Sequence, residues 1–220
     1  MVHPDPARPA PKAAAVVGAM SPRQARLRSK IVEIAADAFL SIGYANTSMS
    51  SIAATVGGSK GTLWSYFSSR EELLFAVIEL ETSESRAQIS SILIRSTDVQ
   101  CTLAKFGRCI LTRITSPRAL SLHRLVVGES GRNPEIATIF FQKVISKIHD
   151  ELATYLQECK IKGVFSFRSA EQAARMLMSL FMANSFQNLV MGLQASVDDE
   201  EIKSDVERAL ECFFSAYSSN

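Results

Sequence analysis

Residues 60–66 read Lys60-Gly61-Thr62-Leu63-Trp64-Ser65-Tyr66, and Ser59 stands just before them. The set combines a cation, hydroxyls, two aromatic rings with polar hydrogens and a backbone position without a Cβ. It holds no His, Asp, Glu or Cys, so proton transfer and metal ligation are not its chemistry. Hydroxyls and ammonium groups of this kind bond phosphate oxygens, and residues at the start of a recognition helix read base edges in the major groove. Lys60, Gly61 and Thr62 occupy that helix start, with Gly61 allowing close backbone approach.

Such side chains need a rigid mount. Ala53, Gly57 and Leu63 have the spacing of a helix-turn-helix: a small residue at a steep crossing, a glycine free to take positive φ in the turn, and an apolar anchor on the second helix. Upstream, Ser21-Pro22-Arg23-Gln24 is a capping box with proline at the first helical position, opening a helix over about 22–42. Thr47 and Ser48 cap a short helix to Val56, Lys60–Phe67 forms the next, and Ser69 with Glu72 forms a further box. Further helices are expected over 98–115, 117–130, 134–160, 169–192 and 198–217, with no alternating strand pattern between them. The expected class is all-α, with about nine helices. Its domains are a disordered Pro/Ala-rich arm over 1–20, a helix-turn-helix domain over 21–68 and a larger helical domain over 69–220.

The 220-residue chain has a net charge of only +2 and 47% hydrophobic residues, enough for a packed core and unlike a polycationic tail. The charge is unevenly spread. Residues 1–70 carry eight basic and three acidic side chains, and the remainder is acidic by three. The basic end is where an anionic partner should dock. Cys101, Cys109, Cys159 and Cys212 are far apart and lack metal-ligand spacing, which argues against a disulfide framework or a zinc site. No metal or other cofactor is expected. No charge occurs from Met176 to Val197, but Asn184, Gln187, Asn188 and Gln194 would need partners in lipid. That stretch reads as a buried or interface helix, in a cytoplasmic protein without a membrane span.

The stretch Gly43-Tyr44, Thr47-Ser48, Ile52-Ala53, Gly57, Ser59 through Leu63, Tyr66-Phe67 and Ser69 through Leu73 resembles the N-terminal pattern of the TetR family of transcriptional regulators. The resemblance implies that Thr47 or Ser48, Trp64, Tyr66 and Arg70 contact phosphates and that Lys60, Gly61 and Thr62 face the bases. Gly58 stands where valine is usual, and Trp64 where tyrosine is usual. Phe106 through Leu111, Pro117 through Leu120, Arg124 through Glu129, Pro134-Glu135 and Phe141 resemble the AefR-like ligand-binding domain. That implies a homodimer with a four-helix interface, a small-molecule effector and a double-stranded DNA operator.

Phe106, Cys109, Ile110, Arg113, His123, Val127, Phe140, Phe141, Met178, Phe181 and Met182 lie on helices expected to line the interior of the larger domain. Arg113 and His123 are the polar groups expected to orient an effector. A charge at Leu189 or Phe213 is expected to split the dimer or unfold it. The leading expectation is a ligand-responsive regulator, most simply a repressor released from a palindromic operator by an apolar or amphipathic effector. A redox sensor using Cys101 and Cys109 is the alternative, though eight residues of helix place these about 12 Å apart, too far for a bond. Absence of HExxH, GxSxG, phosphate-loop and dinucleotide patterns argues against an enzyme.

Overall fold

The structure, a computed structural model, describes residues 20–94 and 98–219. The expected arm lies outside the described residues except for Met20. The described chain forms α1 (Pro22–Ser41), α2 (Met49–Val56), α3 (Lys60–Tyr66), α4 (Arg70–Ile94), α5 (Val99–Ile114) and α6 (Pro117–Ser130). It continues with α7 (Pro134–Phe140), a π-helical turn (Phe141–Ile145), α8 (Ser146–Ile161), α9 (Ala170–Phe181), α10 (Ser185–Met191) and α11 (Asp199–Tyr217). Among the described residues there is no strand, only an isolated bridge between Phe165 and Ser218. The fold is all-α, as expected.

Capping side chains set most helix starts. Ser21 and Gln24 exchange both bonds of the expected box, and Ser48 does the same with Ser51. Asp98 accepts from the Cys101 N–H at 2.9 Å, and Ser116 caps α6 ahead of Pro117. The box expected at α4 is only half formed. Ser69 Oγ accepts from the Glu72 N–H at 3.0 Å, but the Glu72 carboxylate accepts from the N–H and hydroxyl of Ser68, at 2.6 and 2.7 Å.

Two expected long helices are interrupted, so the described residues form eleven α-helices where about nine were expected. Over 134–161 the helix stays continuous but widens at Phe141–Ile145, where the extra residue of a π turn shifts the facing of the side chains before it. Over 169–192 the chain breaks between Met182 and Asn184. Asp205 of α11 accepts from Asn184 Nδ2 at 2.9 Å and from the Ser185 N–H at 3.1 Å, so a carboxylate from another helix caps α10. Burial opposes ionisation of Asp205, yet the donors from Ser185, Asn184 and Arg208 hold it below the usual carboxylate range.

Apolar residues gather in two clusters. One joins Ile31, Ala35 and Phe39 of α1 with Ile52, Leu63, Phe67, Leu74 and Ile78, and draws in Leu122, Val126 and Ile136 from α6 and α7. The other packs Ile89 and Leu93 of α4 with the inner faces of α5, α8, α9, α10 and α11. Helix α4 thus serves both cores. In the second, a Cβ at Gly107 would lie 2.6 Å from a ring carbon of Phe181, so glycine is what lets α5 approach α9 this closely. The uncharged stretch turns Leu177, Met178, Phe181, Phe186 and Leu189 inward. No helix among the described residues is long and apolar enough to cross a membrane.

Candidate DNA interface and effector cavity

The turn between α2 and α3 uses Gly57 at φ 80°, with the Gly57 and Gly58 N–H groups donating to the Ala54 and Ala53 carbonyls. Ser59 caps α3 by accepting from the Thr62 N–H at 3.1 Å. Leu63 and Phe67 anchor the helix in the core, leaving Lys60, Gly61, Trp64 and Ser65 exposed and Thr62 and Tyr66 half-buried. Trp64 is 48% exposed, a large ring held out toward solvent beside a lysine. The Thr62 hydroxyl lies 3.0 Å from Ser59 Oγ, so both serve the cap as well as the surface. Ser48 is exposed at the start of α2.

Thr47, offered with Ser48 as a phosphate ligand, and Arg70 both have partners within the chain. Thr47 is buried, and its hydroxyl donates to the Gly43 carbonyl at 2.9 Å. Arg70 donates through Nη1 to the carbonyls of Tyr44 and Thr47, both at 3.1 Å, while its guanidinium lies 4.1 Å from the centre of the Tyr44 ring. The Tyr44 hydroxyl donates to Glu71 at 3.1 Å, and burial pushes its pKa up to about 12. Arg70 therefore locks α4 onto the loop before α2. Motif position alone does not separate these roles. A cation that stacks on an aromatic ring and bonds two carbonyls through Nη1 is held against its own fold, with Nε and Nη2 as its remaining donors.

A cavity of about 330 Å³ opens between α4, α5, α6, the π turn with its flanking helices, and α10. Its apolar wall includes Leu80, Ile89, Ile110, Ile114, Leu122, Phe140, Val144, Ile148 and Phe186. Arg113, His123, Ser116, Thr82, Glu81 and Arg118 supply its polar groups. The His123 ring meets Phe186 edge-on at 5.1 Å and Phe140 at 6.4 Å. Burial pushes the His123 pKa below its ordinary value, favouring the neutral imidazole. Arg113 donates through Nη2 to Gln88 Oε1 at 2.7 Å. A wider, more open groove runs between α1 and α4 past Arg28, Phe75 and Lys143.

Of the residues expected to line an effector site, the cavity gathers Ile110, Arg113 and His123, together with Phe140. Phe106, Met178 and Phe181 are buried in the second core, with Met182 packed at its edge. Val127 and Phe141, 60% and 50% exposed, face solvent. The π turn is the reason for Phe141: across it Phe140 and Val144 take the inward positions. Cys109 is half-buried outside the cavity lining, and burial raises its thiol pKa, as it does for Cys159. A thiol that resists ionisation is a poor redox sensor.

Sequence reasoning missed Arg118. Its Nε bonds both oxygens of Glu81 on α4, at 2.8 and 2.9 Å, and its Nη1 bonds Asp37 on α1 at 2.9 Å. These carboxylates hold the guanidinium well above its already high pKa. A signal was present, because a cation in the first turn of a helix opposes the macrodipole and calls for acidic partners.

Residues 31–77 match the model for bacterial regulatory proteins of the tetR family, and residues 101–219 match the AefR-like transcriptional repressor C-terminal domain. The chain belongs to the TetR family of transcriptional regulators. Its helix-turn-helix and larger domain carry that family's DNA-binding and ligand-binding parts. Solved TetR-family folds agree along most of the chain. One from Mesorhizobium loti is 22% identical, with a TM-score of 0.80 over 90% of this chain and 100% of that one. The flavonoid-responsive regulator FrrA is 29% identical, with a TM-score of 0.76 over 88% of this chain and 98% of its own. A regulator from Pseudomonas syringae pv. tomato is 25% identical, with a TM-score of 0.71 over 87% and 96%. Comparison with curated proteins gave no match.

Proposed function

We propose that this TetR-family regulator is a cytoplasmic repressor that binds a palindromic operator as a homodimer and leaves it when a small amphipathic effector fills the cavity beside Arg113 and His123. The observation that carries the reading is physical continuity. Glu81 and Arg118 line the cavity, and the same Arg118 holds Asp37 on α1, the first helix of the helix-turn-helix domain. Helix α4 runs from the Arg70 lock beside the DNA-reading helices to Ile89 in the cavity wall. An occupant that moves α4 or α6 therefore bears on the separation of two α3 helices in a dimer, which must match about 34 Å or a multiple to enter successive major grooves. An effector with different affinities for the two arrangements shifts DNA affinity by that difference. The named responsiveness of FrrA to flavonoids, a class of ring-bearing molecules, is in keeping with the aromatic wall.

Selection of duplexes from a random library tests the reading. The expected consensus is an inverted repeat, bound by two chains per duplex. Recovery of single, unpaired half-sites would remove the dimeric operator.

A further inference from the structure

The charges lining the cavity do not balance. Among the described residues lining it, Arg113 and Arg118 are cationic and Glu81 is the carboxylate. Glu81 is taken up by Arg118, with both of its oxygens engaged. Arg118 has a second carboxylate in Asp37. Among the described residues, Arg113 has only the neutral amide of Gln88 as its hydrogen-bond partner. His123, favoured neutral by its burial, adds no charge. A guanidinium with amide bonding alone retains unused donors, and an acid group bonded to it gains a charge-assisted hydrogen bond.

From this arrangement we infer that the effector is a small monoanionic acid with an apolar, ring-sized body, its acid group received by Arg113 and its body laid against Phe140, Phe186 and the aliphatic wall. The inference rests on the reading of this cavity as the effector site and specifies the chemistry of its occupant. At about 330 Å³ the space is near the small end of ligand pockets, suited to one ring with a short chain. A cation is disfavoured, since the one lining carboxylate is already paired. The Phe140 and Phe186 rings also already meet His123. A neutral body would gain the apolar contacts and leave Arg113 as it is.

Three probes with one body separate these cases: 4-phenylbutyrate, 4-phenylbutan-1-ol and 4-phenylbutylamine, titrated calorimetrically against the full-length protein. The acid should bind about tenfold or more tighter than the alcohol, the scale of a hydrogen bond to a charged group, and the amine should bind weakest. Arg113→Gln should reduce acid affinity to that of the alcohol while leaving alcohol affinity within about twofold, and Arg113→Lys should restore part of the preference. Ala119→Trp, which fills the cavity from α6, should abolish binding of all three. Equal affinity for acid and alcohol, tighter binding of the amine, or an acid preference that survives Arg113→Gln overturns the inference. If Ala119→Trp still blocks binding in those cases, the cavity reading itself stands. Failure of all three probes to bind, or binding unaffected by Ala119→Trp, overturns both.

Discussion

Arg118 Nη1 lies 2.9 Å from Asp37 Oδ1, joining the start of α6 to the DNA-binding half, while Nε of the same guanidinium grips Glu81 on α4. One planar fork thus reads the relative position of three helices. The side chains of Asp37 and Arg118 are 71% and 48% exposed, so water and salt screen the pair, and it contributes about 0–1 kcal/mol to stability. Its importance lies in geometry: α6 cannot move relative to α1 without stretching or breaking it.

Replacing Asp37 with Asn should therefore barely change the melting temperature yet alter communication. The expected outcome is effector affinity within about twofold of the parent, measured without DNA, alongside a several-fold change in the effector concentration that releases DNA. Parallel calorimetry and DNA-release titrations check this. Unchanged release at unchanged effector affinity would dismiss Asp37 as a coupling residue.

Lys60 and Arg70 should behave as opposites. Lys60 is exposed at the tip of α3, so Lys60→Ala should weaken binding to all duplexes and lower the salt dependence of log K by about one unit. Arg70 bridges the Tyr44 and Thr47 carbonyls, and the Tyr44 carbonyl also accepts from the Thr47 N–H, so Arg70→Ala should instead destabilise the protein by about 1–3 kcal/mol, the cost of leaving the Thr47 carbonyl unpaired. Urea melts and DNA binding at several salt concentrations separate the effects. A loss of salt slope in Arg70→Ala without loss of stability would return Arg70 to the phosphate contacts.

The buried His123 imposes a pH dependence whose sign follows from its lowered pKa. Below its ordinary value of about 6.5 the unfolded chain takes up a proton that the folded imidazole resists, so stability is lost as pH falls through that value toward the folded pKa. His149, lowered by burial and by Arg175, acts in the same direction. Glu71 and Asp205 are lowered carboxylates that matter only in more acidic solution. Between about pH 7.5 and 5.5 the stability loss is thus expected to come largely from the histidines, and His123→Asn should shrink it. An undiminished loss in chemical denaturation of the variant would show that His123 is not its source.

The proposed dimer is best tested on the outer face of α9, where Met176, the first residue of the uncharged stretch, is 50% exposed. Met176→Glu should weaken dimerisation about tenfold or more and leave the subunit folded. Leu189 and Phe213, the choices suggested by apolarity alone, are buried within the subunit itself, and a charge at Phe213 should unfold it. Sedimentation velocity with circular dichroism distinguishes the cases. A folded Met176→Glu variant that dimerises like the parent would move the seam elsewhere.

Local chemistry was enough to place most helices and the outward residues of α3. Ser21, Ser48, Ser59, Asp98 and Ser116 cap where their side chains can reach an N–H within a turn, and Gly57 stops α2 because positive φ costs it nothing. The outward set Lys60, Gly61 and Trp64 follows from one helical period anchored at Leu63. Tertiary structure decided what depends on residues far apart in the chain. Asp205 breaks the 169–192 segment from 20 residues away, Arg118 finds Asp37 across 81 positions, and Arg70 turns inward because folding brings the Tyr44 and Thr47 carbonyls to it. Of the cavity proposed for the effector, only Ile110, Arg113, His123 and Phe140 were legible. Helical periodicity says which side of a helix is apolar, whereas filled core and open cavity differ by how several such faces meet, and at Phe141 one extra residue in a π turn shifts the facing by about 100°.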